Sequence, residues 1–501
     1  MAALSRSLGR QLGLLIDRFG KVEMLLLGDA GAVLIPQLAR GRDSAGRLRG
    51  LRLLHTHLHA EEALSRDDLM DLIFLRLDAV AVLTVNREGQ PCRFQYAQLL
   101  PPNPRNEPYR LHPLVGWDRA DVDFCAEAEA IEEELARTQA DNRDARDVPR
   151  AVLVSVSALP RSVQESRLAE LEELARTAGL VVAATLVQRV VRPNPKFILG
   201  KGKLAELEVL ALQHHASIIL FDGELAPAQL HNLAETSERK VLDRTQLILD
   251  IFAQHAVSSA GKLQVEMAQL KYIQPRLVGK NRAMDRLMGG IGGRGPGETK
   301  LETDRRRIRE RMGRIKKELE QLRSQRAFSR QRRSRQGIGL GALVGYTNAG
   351  KSTLLNTLTN ANVLAENKLF ATLDPTTRRL RFPRERELIL ADTVGFIRDL
   401  PLELKDAFRA TLEELEAADL LLHVADAAHP ELAQQLEAVE EILGEMGLEA
   451  RPRLLVLNKT DKLLPIQREE LVLAYPQALL LSAATGEGVE QLTDELAQRL
   501  L

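Results

Sequence analysis

The sequence predicts an α/β multidomain chain, and three observations lead there. Strand-like and helical runs alternate from residue 150 to about 256, and again from 339 to the end, which is the pattern of parallel βαβ units. A glycine-rich phosphate-loop motif sits between an apolar strand and a helix in the second of these stretches. Between the two lies a basic segment whose apolar residues recur at heptad spacing. The expected order is an accessory α/β domain over 1–125, a linker over 126–149 and an α/β parallel-sheet domain over 150–257. A basic helical hairpin with a glycine-rich tip follows over 258–336, then a C-terminal P-loop domain over 337–501.

Composition sets the outer limits. With 501 residues and 45% hydrophobic content, the chain can bury several cores, about three or four at ~100–200 residues each. Apolar runs such as Leu180–Val187 fall well short of the ~18–20 residues that a membrane span needs. Asp17 and Arg18 interrupt the apolar run near the start, so no signal-peptide pattern is expected. Two cysteines, Cys92 and Cys125, are too few for a disulfide framework or a four-thiolate zinc site. These features exclude disordered, collagenous, secreted and membrane-spanning classes and point to a soluble cytoplasmic protein.

The 69 Lys and Arg balance the 69 Asp and Glu, but unevenly. Lys262 to Arg335 carries 22 basic against 8 acidic residues, a surplus of 14, which leaves 47 basic and 61 acidic elsewhere. A basic stripe on an acidic body is the footprint of a polyanion partner, although a solvated Arg-rich linker has the same composition.

In the first 125 residues, Val22–Leu27, Leu51–His57 and Ala79–Val85 read as strands and Asp67–Leu75 as a helix. Residues 126–148 are polar and acidic and read as a connecting helix and linker. Then Ala151–Val156, Leu180–Val187 and Ser217–Phe221 read as strands, with helices over Ser162–Thr177 and Leu204–His214 between them. In the basic segment Leu263, Leu270 and Leu277 fall seven apart, and Ile308, Met312, Ile315, Leu319 and Leu322 follow at steps of 4, 3, 4 and 3. Two helices with narrow apolar seams, joined through Gly289–Gly297, make an antiparallel hairpin. The second, from about Glu302 to Arg330, would extend about 43 Å. Its glycine tip carries Arg294 and suits close contact with a partner.

The C-terminal domain carries the legible chemistry. Gly345, Tyr346, Thr347, Asn348, Ala349, Gly350, Lys351 and Ser352 follow the strand Leu340–Val344 and open the helix Thr353–Leu358. In such a loop backbone N–H groups converge on phosphates, the lysine reaches the β/γ oxygens and the Ser352 hydroxyl binds Mg²⁺. The strand Leu388–Ala391 ends in Asp392, Thr393, Val394 and Gly395. Asp392 is placed to hold the Mg²⁺ shell through water, and the Gly395 N–H to meet the γ-phosphate. Leu454–Leu457 leads into Asn458, Lys459, Thr460 and Asp461, whose carboxylate can accept from guanine N1–H and N2–H. Ala478–Leu481 ends in Ser482, Ala483 and Ala484, placed to offer a backbone N–H to guanine O6. Four elements in this order define a GTPase.

The G domain resembles those of the Obg–HflX GTPases. Phe370, Ala371, Thr372, Leu373, Asp374, Pro375, Thr376 and Thr377 are similar to the HflX switch I motif. By that resemblance Thr372 is the second direct Mg²⁺ ligand. Gly289–Arg306 and Pro193–Gly202 resemble HflX as well, so the likeness covers about residues 150–501. It implies a GTPase that binds the large ribosomal subunit and splits stalled or idle ribosomes under stress, acting as a monomer. The rRNA contacts implied are Gly292, Gly293, Arg294, Gly295, Lys300, Arg305 and Arg306, with Lys196, Lys201 and Lys203 as a smaller basic patch. Phosphate and shape readout is expected, because aromatic residues make up only 4% of the chain. DNA is not an expected partner. An alternative is a GTP timer in large-subunit assembly.

Two departures bear on catalysis. Phe396 follows Gly395, where Ras-like enzymes place a water-orienting glutamine, so the water-positioning group is unassigned. Ala484 stands where a lysine is common in the last motif. Asn348 suggests a K⁺ ion near the β/γ bridge, although the same asparagine can serve only to shape the loop.

One pattern lies outside this resemblance. His55-Thr56-His57, then Ser65 and Asp68, are similar in spacing to JAB/MPN zinc metallohydrolases, with Glu23 as the upstream general-base candidate. Leu58 stands where that pattern has proline, and the residues also suit a polar strand end with no metal. A zinc hydrolase carried on a GTPase is therefore a third reading.

Overall fold

The computed structural model describes residues 1–500 other than 37–47, 102, 104–106, 141–147, 238, 278–299, 336–337, 360–369, 371–375, 383–385 and 399–414. The chain divides into two units, Met1–Arg244 and Thr245–Leu501. Among the described residues no helix is long and apolar enough to cross a membrane.

The first unit begins with helix α1 (Ala2–Leu8) and strands β1 (Leu12–Asp17), β2 (Val22–Leu27) and β3 (Leu51–His57). Helix α2 (Arg66–Phe74), strands β4 (Ala79–Val85), β5 (Pro91–Leu99), β6 (Tyr109–Leu111) and β7 (Val115–Gly116), and helix α3 (Phe124–Ala140) follow. The sheet runs β2-β1-β3-β4-β5-β6, with β7 also on β5. Its β3–β4 pair is parallel, joined through α2, while β1 pairs antiparallel with β2 and β3. The Ser65 side chain caps α2 and Asp68 returns the bond to the Ser65 N–H, so the helix starts at a fixed point. Leu69, Leu72 and Ile73 then share its buried face. β1 and β5 are not marked by the sequence pattern, because Asp17 and Arg18 mask the first and the polar alternation of Pro91–Leu99 the second.

The acidic α3 is docked rather than free. Arg18 Nε donates to Asp78 Oδ2 at 2.6 Å and its Nη2 to Glu132 Oε1 at 2.9 Å, while Ala128 and Leu135 are buried. The Arg18 guanidinium, bonded first to Glu132 and then to Asp78, is held charged well beyond its ordinary range.

The second sheet of this unit is wholly parallel. Strands β8 (Arg150–Ser157), β9 (Val181–Arg189), β10 (Ile218–Phe221) and β11 (Lys240–Asp243) lie in the order β11-β10-β8-β9. Helices α4 (Arg161–Thr177), α5 (Lys201–Gln213) and α6 (Pro227–Thr236) connect them. α5 is apolar on two faces. Leu204, Leu207 and Ala211 join this sheet's core, and Ala205, Val209 and Leu212 join the core under the first sheet. A helix apolar nearly all round is one buried from both sides.

Helix α7 (Arg244–His255) spans the boundary between units. The second unit continues with α8 (Ser259–Ile273) and α9 (Lys300–Arg335). These two pair as expected, locked by Arg311, whose Nε and Nη2 donate to Glu266 at 2.6 and 2.7 Å. The seam of α9 matches its sequence pattern, with Ile308 and Ile315 buried. That of α8 does not. Gly261, Val265, Ala268 and Tyr272, at steps of 4, 3 and 4, are its buried residues, while Leu263 and Leu270 of the leucine heptad are only half-buried. Only Leu277 of that heptad is buried.

The rest of this unit is a twisted sheet. It comprises β12 (Gly339–Val344), α10 (Lys351–Thr359), β13 (Thr376–Phe382), β14 (Arg386–Asp392) and β15 (Leu420–Asp426). α11 (Leu432–Glu445), β16 (Arg453–Asn458), α12 (Pro465–Ala474), β17 (Leu479–Leu480) and α13 (Val489–Leu500) complete it. The strand order is β13-β14-β12-β15-β16-β17, parallel apart from the antiparallel β13–β14 pair. Leu343 packs on one face with α10 and α13; Ala342 and Val344 pack on the other with α11. Covering both faces of a parallel sheet leaves only its carboxyl edge open for ligands.

Candidate nucleotide site

The loop after β12 is shaped by two glycines. Gly345 has φ +148° and a Cβ there would lie 2.0 Å from the Val424 carbonyl oxygen. Gly350 has φ +91° and a Cβ would lie 2.3 Å from Asn458 Nδ2. Neither position accepts a side chain. Asn348 adopts the left-handed conformation at φ 60°, which asparagine tolerates better than most residues, so its shape-giving role is visible in the backbone.

Lys351 opens α10 and is 6% exposed. Its Nζ donates to the loop's own carbonyls, Gly345 O at 3.0 Å and Tyr346 O at 2.8 Å. Burial pushes its pKa down to about 8, against the pull of Asp392. A buried ammonium ringed by backbone groups and facing an open edge suits a phosphate chain, which would supply the missing negative charge. Beside it the Ser352 hydroxyl donates to Asp392 Oδ2 at 2.6 Å. A hydroxyl and a carboxylate set together here fit a hard cation such as Mg²⁺.

The segment after β14 is sewn onto this loop. Phe396 N–H donates to Gly345 O at 3.0 Å and Thr347 N–H to Phe396 O at 2.8 Å, which sets Gly395 against the loop. Thr393 Oγ1 donates to Leu343 O at 2.6 Å, and Val394 is buried. The Phe396 ring is 4% exposed and packs in the core with Tyr346, Ile389 and Leu421. It points into the protein, not at a water. The Tyr346 hydroxyl accepts from the Arg398 N–H at 2.8 Å, an anchor that no sequence motif marks.

The base-recognition elements meet at the ends of β16 and β17. Asn458 Nδ2 donates to Ala349 O at 2.9 Å, and its Oδ1 accepts from the Lys459 and Ala483 N–H groups at 2.8 and 2.9 Å. Lys459, left-handed at φ 64°, donates from Nζ to Asn348 O and to Asp426 Oδ2, both at 2.7 Å. Asp426 is not among the residues singled out from sequence, although it ends an apolar strand as Asp392 does. Asp461 Oδ1 accepts from the Ser482 hydroxyl at 2.6 Å, while Thr460 N–H donates to Leu481 O at 3.3 Å. Ala484 is exposed beside them. The last strand is shorter than expected, Leu479–Leu480 rather than Ala478–Leu481.

Phe370 is buried and packs edge-to-face on Phe252 of α7, with ring centroids 4.6 Å apart. Ala371, Thr372, Leu373, Asp374 and Pro375 lie outside the described residues, as do Gly292, Gly293, Arg294, Gly295 and the rest of Gly289–Gly297. Lys300 begins α9. Arg305 Nη2 donates to Leu277 O at 3.1 Å, and Arg306 lies 3.8 Å from Glu310. The smaller basic patch has local partners. Lys203 Nζ donates to Glu206 at 2.6 Å, whereas Lys196 lies over the Phe197 ring.

Comparison with known proteins finds matches along most of the chain. Family models described as "GTP-binding GTPase N-terminal", "GTP-binding GTPase Middle Region" and "50S ribosome-binding GTPase" match residues 165–253, 255–333 and 341–459. The chain is 48% identical over 356 residues to GTPase HflX of Caldanaerobacter subterraneus, covering 71% of this chain and 82% of that one. To GTPase HflX of Escherichia coli it is 48% identical over 337 residues, covering 66% and 79%. A crystal structure of a GTP-binding protein from Sulfolobus solfataricus in complex with GDP is 28% identical, with a TM-score of 0.39, covering 70% and 98%. With its nucleotide cradle assembled and the HflX relatives matched over about two thirds of its length, the chain belongs to the HflX family of GTPases, which bind and hydrolyse GTP.

Proposed function

We propose that this GTPase binds the large ribosomal subunit and uses GTP to separate stalled or idle ribosomes, working in the cytoplasm as a monomer. The observation that carries the reading is α9. Arg305, Arg306, Arg307, Arg309, Arg314, Lys316 and Lys317 are all exposed along one helix, a row of cations suited to the phosphates of folded RNA. The description of the matching G-domain model, a 50S ribosome-binding GTPase, supports the same partner. Gly292, Gly293, Arg294 and Gly295 at the hairpin tip are assigned to close rRNA contact, with Lys300, Arg305 and Arg306 neutralising phosphates behind them.

In the nucleotide site, residues 345–352 hold the phosphates, Lys351 neutralises the β/γ oxygens, and Ser352 and Thr372 would ligate Mg²⁺ with Asp392 behind them. Asp461 reads the guanine edge, and the Ala483 and Ala484 backbone faces O6. Asn348 would hold K⁺ beside the β/γ bridge, supplying the charge that an arginine finger supplies elsewhere. Phe370–Thr372 and Gly395 respond to the γ-phosphate. Because Phe370 rests on Phe252, ordering of that segment is felt in α7, which directly precedes the α8–α9 hairpin. GTP thereby biases the hairpin toward its ribosome-binding arrangement, and hydrolysis permits release.

The test is GTP turnover with and without purified large subunits at two salt concentrations. Salt-sensitive stimulation that disappears on deleting Gly289–Gly297, with basal turnover kept, is the expected result. Stimulation by precursor particles but not by mature subunits would replace splitting with an assembly role.

A further inference from the structure

The first unit holds a side-chain cluster that the GTPase reaction does not use. His55 and His57 alternate along β3, so both rings leave the same face of the sheet, and they are 0% and 2% exposed. Asp68 reaches them from the first turn of α2. His55 Nε2 lies 3.0 Å from His57 Nε2 and 3.2 Å from Asp68 Oδ1, and His57 Nε2 lies 3.5 Å from Asp68 Oδ2.

With neutral imidazoles and an ionised Asp68, no placement of the two protons pairs every group in this cluster. A neutral imidazole has one N–H and one lone pair. With both protons on Nε2, two N–H groups oppose each other at 3.0 Å and both Nδ1 lone pairs are buried. With both on Nδ1, three acceptor groups converge with no donor among them. With one of each, one ring's Nε2–H donates to the other ring's Nε2 at 3.0 Å, but the accepting nitrogen also faces a carboxylate oxygen with no proton between them. The Nδ1 atoms offer little relief: neither has a hydrogen-bond partner, and the carboxylate near His57 Nδ1, that of Glu62, is 3.8 Å away. A cation at the centre removes the conflict, because all three groups then turn lone pairs toward it.

The spacing is also that of a coordination shell. Ligands bonded at ~2.0–2.1 Å around a tetrahedral ion stand about 3.3 Å apart, and the distances here are 3.0, 3.2 and 3.5 Å. The frame is rigid before any ion arrives. β3 is flanked by β1 and β4, and the Ser65 capping box fixes the start of α2. Glu62 is placed to orient the His57 ring through Nδ1 once the metal takes Nε2, as carboxylates commonly do for metal-bound histidines.

We propose that His55 Nε2, His57 Nε2 and the Asp68 carboxylate bind one zinc-class divalent cation and leave its fourth position open. Two imidazoles and one carboxylate select zinc and its late first-row neighbours over Mg²⁺ or Ca²⁺, which prefer all-oxygen shells. Asp68, with 13% of its side chain exposed, marks the side from which an ion or an exchangeable ligand enters. The pairing with Glu23 expected from the spacing does not survive the strand register. Leu26 is the β2 residue level with His55, because both pair with Gly13 of β1. Glu23 lies further along that strand and is ion-paired with Lys21 at 2.5 Å. The site therefore stands as a metal centre without that general base.

The test uses the full-length protein, stripped with chelator and reloaded with Zn²⁺ or Co²⁺ in excess Mg²⁺, which occupies the G domain. One Zn²⁺ per chain is expected, with a Co²⁺ absorption spectrum of tetrahedral type. Asp68→Asn keeps an oxygen for the Ser65 N–H and should lose the metal and the spectrum while retaining GTP turnover. His57→Gln should do the same, and Asp68→Asn carries the test if that variant fails to fold. A wild-type chain that takes up no Zn²⁺, or a folded Asp68→Asn variant that keeps a full equivalent, overturns the proposal.

Discussion

At the carboxyl ends of β12, β14 and β16 the chain leaves backbone groups, glycines and one buried lysine around an open edge. At the carboxyl ends of β8 and β10 it places Ser155 and Asp222, 3.3 Å apart, with an Arg244 nitrogen 3.8 Å from the other Asp222 oxygen. Both regions are built on parallel strands with a crevice where the strand order reverses, the place where such folds bind ligands. The first carries the phosphate-loop motif and the second does not. The difference lies in the loop after the first strand. Gly345–Gly350 bends through two bare-backbone positions, whereas β8 runs into Pro160 and α4, and Ser155 and Asp222 meet at its crevice. Topology offers the crevice; the loop decides its use.

The comparison can be broken most sharply at Asp461. Asp461→Asn replaces an acceptor with a donor opposite guanine, and GTP affinity should fall on the order of 1,000-fold, with xanthosine nucleotides gaining. Competition binding with the two nucleotides measures both, and unchanged guanine preference would take base recognition away from this residue. Gly350→Ala comes next. Strain and the contact with Asn458 should cost about 3 kcal/mol, roughly 100-fold in GDP affinity. Gly200→Ala in the other sheet's connection, where a Cβ meets nothing within 4 Å, should leave binding unchanged. Equal effects of the two variants would mean that the cradle does not depend on its bare backbone.

A smaller effect follows from Lys351. Its folded pKa, about 8 against the ordinary 10.5, lies below that of the unfolded chain. The unfolded state then holds more protons between these values, and nucleotide-free stability should rise as pH climbs through that window. Bound phosphates restore the charge, so GDP binding above pH 8 should take up protons. Calorimetric titration in two buffers of different ionisation enthalpy detects this, and no buffer dependence would argue against a buried, depressed lysine. The smallest effect is expected at Asp222→Asn. Burial raises the Asp222 pKa against the opposing pull of Arg244 and Arg167, and the neutral amide keeps its shape. GTP turnover should be unchanged and stability should move by about 1 kcal/mol or less. Any loss of turnover would show that the two sheets are functionally coupled.

Much of this protein was legible because its chemistry is written in short, local patterns. Gly345–Ser352, Asp392–Gly395, Asn458–Asp461 and Ser482–Ala484 each end a strand that hydrophobic runs had already marked, so motif and context agreed. The polar β5 and the α8 contact face were not legible in this way. Strand status at Pro91–Leu99 comes from pairing with β4 and β6, and the buried face of α8 is not the one its leucine heptad marks.

The sequence by itself determined the nucleotide, the family and the basic character of the hairpin, since these depend on residues close together in the chain. Only the tertiary structure decided which distant groups meet. It turned Phe396 into the core, set Asp426 against Lys459, seated Phe370 on Phe252, and separated Glu23 from the histidines while bringing Asp68 to them. Strand register and helix docking fix such pairs, and both are settled by burying whole faces at once, which no local pattern of residues records.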